Sequence, residues 1–468
     1  MIIVTKKAKL IRRVKPRQSI TNLYPSKVYE ARLSRVRQLM EKRELQYLLV
    51  YGDREHFANL HYLTGYDPRF EEALLLIGRA GEPTLFAGNE GVAYAQMVPL
   101  PVKLKLYQSL SLIGQSRSEI TSAGFLKDLT EAGLSQGARL GVVGWKYFLP
   151  GEVDAPAETL DIPYHLAEQL FSLVDTQYVQ NATDLFMHPE YGCRAKLDVH
   201  DIAMLELAGT KSSSSVLRMM ESFQSGMSEL EATEHLCMDG DPLVAHPNLN
   251  FTLEGGRLGL ASASDRNRLY LGAPVNLGFG YRGSMVARTG VYTRNREETE
   301  RYWPGYYEKV LVTYFRVIKS WYESIGIGVT GKSVLEQIDR AVPEFPELKV
   351  GLNPGHLIHT DEWVSSPFLR DQEIELFSGM GIQCDIIPVP EGFPGVHVED
   401  GLGLADKELR SELQESYPEA WARIQERRTF VQQELGIFLR EEILPFSDIQ
   451  GCLFPFFGDM ETVIASAE

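Results

Sequence analysis

The sequence predicts a two-domain protein, with an α/β domain in the first half and an α+β domain in the second. The chain has 468 residues, and domains commonly take about 100–200 residues each. Apolar strand-like runs alternate with helical periodicity over 26–150, which is typical of an α/β domain. From 250 to 404 the sequence is rich in glycine and strand-like, with two helical interruptions, which favours an antiparallel sheet flanked by helices.

Each predicted element of the first half is an apolar run or a helical repeat bounded by turn residues. They are a helix from Ser26, a strand at 47–52, two strands within 74–88, a helix near 118–133 and a strand at 138–145. Together they define the N-terminal α/β domain as 26–150. Residues 1–25, basic between Lys6 and Arg17, are predicted as a solvated arm, and 151–190 as the connection to the next domain.

The second domain, predicted over 191–405, begins with a long helix for which Asp198 is the expected N-cap. Ser228 and Glu231 have the spacing of a capping box and predict the start of another helix. Further helices are predicted at about 296–325 and 332–341. The charged tail over 406–468 is predicted as a helical extension.

Charge and cysteine content exclude several classes of protein. Lys and Arg number 47 against 63 Asp and Glu, and the resulting net charge of -16 disfavours nucleic acid or an anionic membrane as the main partner. No apolar run approaches the ~18 residues of a membrane span. The 4 cysteines are isolated in the sequence, and no secretory signal is recognisable, so the sequence predicts a cytoplasmic protein without a zinc cluster or a disulfide framework.

Histidines and carboxylates concentrate in three segments of the second half. The first, NPGHLIHTDEW, contains His356, His359, Asp361 and Glu362; SGMGIQCD ends at Asp385; and PEGFPGVHVED contains His397, Glu399 and Asp400. Such side chains on successive strands suit a metal site or an acid–base site. By spacing alone, polar residues on exposed strand faces explain the pattern equally well.

Longer motifs resemble the creatinase, aminopeptidase P and prolidase family of two-domain "pita-bread" proteins over about 26–405. The first half contributes RLSRVRQLMEKRELQYLLVYGDREHFANLHYLTGY, and the second contributes RAKLDVHDIAMLELAGTKSSSSV and LGAPVNLGFGYRGSMVARTGVY. Gly355-His356, Gly379-Met380 and the terminal HVED complete the resemblance. The resemblance implies an α/β N-terminal domain, a pita-bread α+β C-terminal domain and a homodimer. It also implies a small-molecule substrate, and the net charge and the lack of a long apolar run, given above, predict no nucleic acid and no membrane as partner.

Dinuclear members of that family bind two divalent ions through two Asp, one His and two Glu. By resemblance the first Asp position is Asn276, and the second falls at Met285 to Ala287, before Arg288-Thr289. His356 and Glu399 are kept, and Asp385 replaces one Glu. The resemblance therefore predicts no tight two-metal cluster and no required cofactor. A weak single-ion site at His356, Asp385 and Glu399 stays open.

This chain is similar to creatinase, a metal-free member of that family, in two local ways: Asn276 matches a family branch with Asn at the first ligand position, and PEGFPG resembles the creatinase loop before its last acidic motif. This chain lacks the creatinase catalytic His, since the corresponding segment reads ASASDRNRLYLG, and Ala287 replaces a Glu beside Arg-Thr. The predicted function is a hydrolase-like activity on a C–N bond of a small amide, amidine or dipeptide-like compound, without a dinuclear metal centre. Two alternatives stay open: a catalytically silent binding module and a Xaa-Pro metallopeptidase with a residual single-metal site.

The candidate residues fall into two groups by predicted role. The catalytic candidates are His356, His359, Asp385, Glu399, Arg288 and Tyr281. The substrate-binding candidates are Asp361, Glu362, His397 and Asn276. His356, Asp385 and Glu399 are expected to converge on one cavity with Tyr281 or Arg288 on its wall, with raised pKa values for at least one carboxyl and for His356. A pairing of Arg288 with Glu399 and an exposed loop position for His397 stay open.

Overall fold

The computed structural model describes residues 2–118, 122–252, 260–342, 354–388 and 390–467. They form two compact units. The N-terminal unit is Asn22–Arg194, and the C-terminal unit combines Met1–Thr21 with Ala195–Glu468. Within the described ranges, no helix is both long and apolar enough to cross a membrane.

Strands and helices are numbered here in chain order. The strands are β1 Ile2–Lys7, β2 Tyr47–Gly52, β3 Ala73–Gly78, β4 Thr84–Ala87, β5 Lys103–Leu106, β6 Leu140–Val143, β7 Val179–Asn181, β8 Asn248–Asn250, β9 Pro274–Tyr281, β10 Ser284–Val291, β11 Gly355–Leu357, β12 Gly381–Asp385, β13 His397–Leu404, β14 Ile443–Pro445 and β15 Thr462–Ala467. The α-helices are α1 Ser26–Lys42, α2 Ala58–Thr64, α3 Gly91–Tyr94, α4 Ser122–Glu131, α5 Tyr164–Leu173, α6 Asp184–Met187, α7 Val199–Glu221, α8 Glu229–Thr233, α9 Arg296–Tyr302, α10 Thr313–Ser324, α11 Gly331–Ala341, α12 Lys407–Ser416 and α13 Pro418–Gln433. A π-helical segment, Tyr306–Val312, separates α9 from α10.

The N-terminal unit is built on a six-stranded mixed sheet with the order β5-β4-β3-β2-β6-β7. β3 is antiparallel to β2 and β4, whereas β5, β6 and β7 pair in parallel with their neighbours. The apolar run at 47–52 forms β2, and five of its six residues are buried, as a strand covered on both faces requires. The α/β prediction for this half is confirmed, and β7 extends the sheet into the stretch predicted as a connection.

The C-terminal unit is built on an antiparallel sheet with the order β11-β12-β13-β10-β9-β8, and β14 pairs with the far end of β13. The long buried helix α7 lies against β9 and β10. Its N-terminus is the predicted one, because the Asp198 side chain accepts from the backbone N–H groups of His200 and Asp201. The predicted capping box of Ser228 and Glu231 is also present, at the start of α8.

The N-terminal residues are not the solvated arm predicted from their basic composition. Instead β1 pairs antiparallel with β15, near the end of the chain. Arg13 donates to Glu426 at 2.6 Å and to Asp448 at 3.2 Å, and Lys15 donates to the Tyr281 hydroxyl at 3.0 Å. The basic residues are thus held by acidic and phenolic partners of the C-terminal unit.

Candidate functional site

Sheet register brings the predicted imidazoles and carboxylates to one face of the C-terminal sheet. Asp385 on β12 lies directly opposite Glu399 on β13, and His397 lies two residues before Glu399. Side chains two apart on a strand point to the same face, so all three share it. His397 Nε2 lies 2.8 Å from Asp385 Oδ1 and 3.9 Å from Glu399 Oε2. His397 is therefore a buried strand residue at the centre of the cluster, not an exposed loop residue.

His356 reaches the same cluster from β11. Gly355 precedes it with a φ of +150°, and a Cβ there would clash with the carbonyl oxygen of Gln383, so this close pairing of β11 with β12 requires glycine. His356 Nε2 lies 3.9 Å from Asp385 Oδ2. Its ring stacks on Trp363, with ring centroids 4.1 Å apart. The stacking and the strand pairing fix the orientation of this imidazole.

Glu362 enters the cluster from the loop after β11. One of its carboxylate oxygens accepts from the Met285 backbone N–H at 3.1 Å. The other oxygen, Oε1, is buried and has no hydrogen-bond partner among the described residues. One ligand atom each of His356, Glu362 and Glu399 lie within 4.8 Å of one another. A second triad, Asp385, His397 and Glu399, meets the same distance limit, so Glu399 belongs to both.

Burial and mutual repulsion set the ionisation of this cluster. Burial, together with the charge of Asp385, raises the pKa of both Glu362 and Glu399 well above the usual range. Burial also opposes ionisation of Asp385, but the hydrogen bond and charge of His397 hold its pKa below the usual value. Burial lowers the pKa of His356, against the attraction of Asp385. The expected rise in pKa therefore occurs for the carboxyl groups of Glu362 and Glu399. The rise expected for the pKa of His356 is wrong, because burial lowers it.

A partly enclosed cavity of about 340 Å³ adjoins the cluster. Its lining is mostly apolar, with Asn, Thr, His and Glu side chains among it, and comprises Asn248, Leu260, Pro274, Val275, Asn276, Leu277, Gly278, Met285, Ala287, Thr289, Ile387, Pro388, Phe393, Gly395, Val396, His397 and Glu399. The volume is at the lower end of the range usual for small-molecule pockets, about 300–1,000 Å³.

The two positions at which acidic ligands are replaced also lie at this cavity. Asn276 accepts a hydrogen bond from the Thr289 hydroxyl at 2.6 Å, so its amide oxygen is engaged within the sheet. Ala287 lies directly opposite Glu399 and contributes only a methyl group. The carboxylates expected at these positions from the family pattern are thus replaced by a bonded amide and by a methyl group.

Arg288 and Tyr281 do not line the cavity. Arg288 is one residue from Ala287 and therefore points to the opposite face of the sheet, where it donates to both carboxylate oxygens of Asp400 at 2.9 and 3.1 Å. Its remaining N–H groups donate to backbone carbonyls, including that of Glu399. The Tyr281 hydroxyl contacts Lys15. The expectation of either residue on the cavity wall is wrong, and the partner of Arg288 is Asp400, not the Glu399 carboxylate.

His359 and Asp361 have other surroundings. His359 is buried, with Nε2 3.5 Å from Asp201 Oδ1 in the first turn of α7 and Nδ1 beside Thr360. Since Asp201 belongs to the capping box of α7, these contacts tie the loop to the helix start. Asp361 is half-buried, and its negative charge acts on the His356 imidazole.

Three residues near the cluster were not among the sequence candidates. Gln383 donates to Glu399 Oε1 at 3.2 Å and to the Met285 carbonyl at 2.7 Å, so it holds the shared carboxylate in place. It lies two residues before Asp385, and strand alternation could have identified it. Trp363, which stacks on His356, and Asn248, which lines the cavity, carry no comparable signal in the sequence.

The donor set of the first triad fits one divalent ion. Burial lowers the pKa of His356, which favours the neutral imidazole that a metal ion needs, and Oε1 of Glu362 has no hydrogen-bond partner among the described residues. Two buried carboxylates and one imidazole are the donors that Zn²⁺ or Mn²⁺ accepts. In the second triad His397 is already hydrogen-bonded to Asp385. The expectation of no metal is therefore not supported, and the triad that contains His356 includes Glu362 and not Asp385.

Comparisons with known proteins agree with this architecture. A family model described as Creatinase/Prolidase N-terminal domain matches residues 32–145. No curated protein matches the chain. Among solved structures, the prolidase from Pyrococcus horikoshii OT3 has a TM-score of 0.61 at 17% identity, covering 80% of this chain and 95% of its own.

Two further solved structures have the same fold. The Xaa-Pro dipeptidase from Bacillus anthracis has a TM-score of 0.62 at 14% identity, covering 81% of this chain and 96% of its own. The X-Pro aminopeptidase from Thermotoga maritima MSB8 has a TM-score of 0.61 at 15% identity, covering 80% and 95%. The family resemblance and the fold class inferred from the sequence are confirmed.

Proposed function

Because the chain has a creatinase/prolidase N-terminal domain and the pita-bread fold of prolidases and X-Pro aminopeptidases, we propose that it is a hydrolase. Its substrate is a small amide, amidine or dipeptide-like compound, and the reaction cleaves a C–N bond. The observation that supports this most directly is the contact of His397 with Asp385 and Glu399 at the wall of the 340 Å³ cavity. A proton-transfer group and its orienting carboxylate thus stand where a small ligand fits.

The roles of the residues follow from their contacts. Asp385 accepts the Nε2 proton of His397, which leaves Nδ1 of that ring as the proton acceptor for an attacking water. Burial and the charge of Asp385 raise the pKa of Glu399 well above its usual range, which favours the protonated carboxyl that could give its proton to the leaving nitrogen. Gln383 positions Glu399 through the 3.2 Å hydrogen bond to Oε1.

One divalent ion is the cofactor that the site best fits, with His356, Glu362 and Glu399 as the residues that would hold it. When bound, such an ion supplies Lewis acidity and lowers the pKa of a bound water. A cation and the proton on Glu399 compete for the same carboxylate. Since Ala287 and the engaged Asn276 offer no further carboxylate, two tightly bound ions are not expected.

A specific observation also favours a second candidate, a Xaa-Pro metallopeptidase that works with a single ion. The donor set of His356, Glu362 and Glu399 supports it, as does the fold shared with the Xaa-Pro dipeptidase from Bacillus anthracis. The two candidates differ in whether activity needs the ion. The experiment is therefore a turnover screen with and without Mn²⁺, after treatment with a chelator.

The screen contains proline dipeptides, simple dipeptides and guanidino compounds, and mass spectrometry detects the released amine. Turnover that survives chelation supports the metal-independent hydrolase. Turnover of Xaa-Pro compounds only with Mn²⁺ supports the metallopeptidase. Binding of panel members without any turnover would contradict both and leave the catalytically silent binding module.

A further inference from the structure

The side chain of Met285 lies on the floor of the cavity. This residue belongs to β10, lines the cavity and is half-buried. A Cβ at Gly278, on the neighbouring strand β9, would lie only 2.6 Å from Cε of Met285. The terminal methyl group of Met285 therefore takes the space that a side chain at position 278 would take. Because both residues line the cavity, this space adjoins it directly.

Sheet register gives the position of this methyl group relative to the cluster. Glu399 lies opposite Ala287, and Ala287 lies opposite Gly278, on the three neighbouring strands β13, β10 and β9. With strands about 4.8 Å apart, the Cα atoms of Glu399 and Gly278 are separated by roughly 10 Å. A ligand whose polar group contacts Glu399 and whose body lies beside Ala287 would meet the methyl group of Met285 at its far end.

The backbone of Met285 is held independently of its side chain. Its N–H donates to Glu362 at 3.1 Å, and its carbonyl accepts from Gln383 at 2.7 Å. A methionine side chain is unbranched and has three rotatable bonds, so it can change conformation while the backbone stays in place. Replacing this side chain should therefore change the cavity and leave the hydrogen bonds of Glu362 and Gln383 intact.

The surroundings of Met285 favour an apolar group of the ligand. Leu260, Ile387 and Phe393 line the same cavity, and their side chains offer no hydrogen-bond partner. An alkyl group gains affinity in such surroundings, by about 4-fold for each methylene group that it buries. The gain ends where the alkyl group meets a side chain that occupies the remaining space.

We propose that Met285 is a specificity-determining residue that limits the length of the apolar group in the substrate. The ligand class is a small amide whose alkyl group ends beside the Met285 methyl group. Hydrolysis of that ligand rests on the proposed function, whereas the limit on its length does not. Shortening the side chain of Met285 should therefore extend the range of ligands, because the space above Gly278 then joins the cavity.

The test measures dissociation constants of three straight-chain primary amides: acetamide, butanamide and hexanamide. NMR titrations are run on the full chain in EDTA, so that no metal contributes. For wild type we expect hexanamide to bind no more tightly than butanamide, because its longer chain meets Met285. Hexanamide should bind Met285→Ala about 10-fold more tightly than wild type, since two more methylene groups are buried. Acetamide, which is too short to reach Met285, should bind both proteins alike.

Met204→Ala is the matched control. Met204 is also a half-buried methionine of the C-terminal unit, but it packs against the core beside α7 and is not among the described residues that line the cavity. This variant loses the same atoms as Met285→Ala. It should keep the wild-type order of affinities for the three amides.

Gly278→Ala tests the same contact from the other strand. Its added methyl group must displace Cε of Met285, the flexible end of a side chain, so butanamide should bind less tightly than to wild type. In a chain that also carries Met285→Ala, the added methyl group meets no methionine. The loss caused by Gly278→Ala should then be smaller, as expected for two residues in contact.

Met285→Cys in a Cys237→Ser background makes the test reversible. Cys237 is the exposed one of the four native cysteines, so methyl methanethiosulfonate should add a methylthio group to the introduced thiol alone. The modified side chain has as many heavy atoms beyond Cβ as methionine. Hexanamide affinity should fall to the wild-type value on modification and recover on reduction with dithiothreitol. Because one folded sample is measured in each state, a folding defect cannot produce this pattern.

Several results would overturn the inference. They are a hexanamide affinity that Met285→Ala leaves unchanged, an equal gain in Met204→Ala, or an equal loss from Gly278→Ala with and without the methionine. An introduced thiol that does not react, or whose modification leaves hexanamide affinity unchanged, would also overturn it. So would the absence of binding of all three amides to wild type and to Met285→Ala.

The proposed function fails on a different result. A chain that binds amides with the length limit set by Met285 but hydrolyses no compound contradicts the proposed function alone. A chain that hydrolyses amides with the same preference for length after Met285→Ala contradicts this inference alone.

Discussion

Replacement of one buried carboxylate by its amide should stabilise the metal-free protein at alkaline pH. In Glu362→Gln the side-chain oxygen can still accept from the Met285 N–H, so the change removes charge and little else. The ligand oxygens of Glu362 and Glu399 lie within 4.8 Å of each other. At an effective dielectric constant of about 20, two unit charges at that separation repel by roughly 3 kcal/mol. Partial protonation of the two carboxyl groups removes part of this repulsion. We therefore expect the substitution to raise the free energy of unfolding by about 1–3 kcal/mol at pH 8.

The way in which this gain in stability changes with pH follows from the raised pKa of Glu362. A carboxyl whose pKa is higher in the folded state favours the unfolded chain once the unfolded carboxyl ionises. The penalty is therefore absent below the ordinary carboxyl pKa, grows as pH rises above it, and is complete above the folded pKa. Glu362→Gln should therefore differ little from wild type at pH 5 and exceed it at pH 8. The assay is urea unfolding in EDTA, followed by tryptophan fluorescence. Four of the five tryptophans, all except Trp145, lie in the C-terminal unit.

Asp361→Asn is the matched control, because that neighbouring carboxylate is also half-buried but belongs to neither triad. Its effect should stay within about 0.5 kcal/mol at either pH. A free energy of unfolding for Glu362→Gln equal to that of wild type at pH 8, or raised by the same amount at pH 5, would contradict charge repulsion at Glu362.

The remaining predictions concern metal, packing and assembly. Metal-free protein should take up at most one equivalent of Mn²⁺ or Zn²⁺ by mass spectrometry, and His356→Ala should reduce that uptake; two equivalents in wild type would contradict the proposed ligand set. Mn²⁺ affinity measured by calorimetry should rise between pH 6 and pH 8, because raised carboxyl pKa values mean that the ion must displace protons; a flat profile would count against it. Arg288→Ala should lower the free energy of unfolding by about 3–5 kcal/mol, since it leaves Asp400 buried without its ion-pair partner, and a loss below 1 kcal/mol in urea unfolding would show that the pair is not structural. Light scattering at micromolar concentration should give the mass of a homodimer, as predicted by resemblance to the family; a monomer mass would refute that prediction.

Much of the fold was predictable because its signals are local. An apolar run such as 47–52 and a side-chain cap such as Asp198 determine the structure of the same few residues that contain the signal. The N-terminal residues were predicted wrongly for the opposite reason. The partners of Arg13 are Glu426 and Asp448, more than four hundred residues away, and no local pattern reveals them.

The candidate site was predictable where strand alternation decides it. His397 and Glu399 share a face because they are two residues apart, whereas Arg288 and Asp400 each lie one residue from a cavity position and so meet on the other face. Glu362 could be named as a candidate but not as a metal ligand. Its carboxylate reaches His356 from a loop, and loop conformation cannot be read from periodicity.

The most direct test of the hydrolase proposal is the turnover number of His397→Gln relative to wild type, on whichever compound the screen identifies. Glutamine is close in size and can still donate to Asp385, but it cannot take a proton from water. His235→Gln, at an exposed histidine of the same unit, is the control. We predict a 10²- to 10⁴-fold loss of kcat, on the order usual for a general base, in the first variant and none in the second. An unchanged kcat in His397→Gln, in protein that unfolds like wild type, would contradict the assignment of His397 as the proton-transfer group.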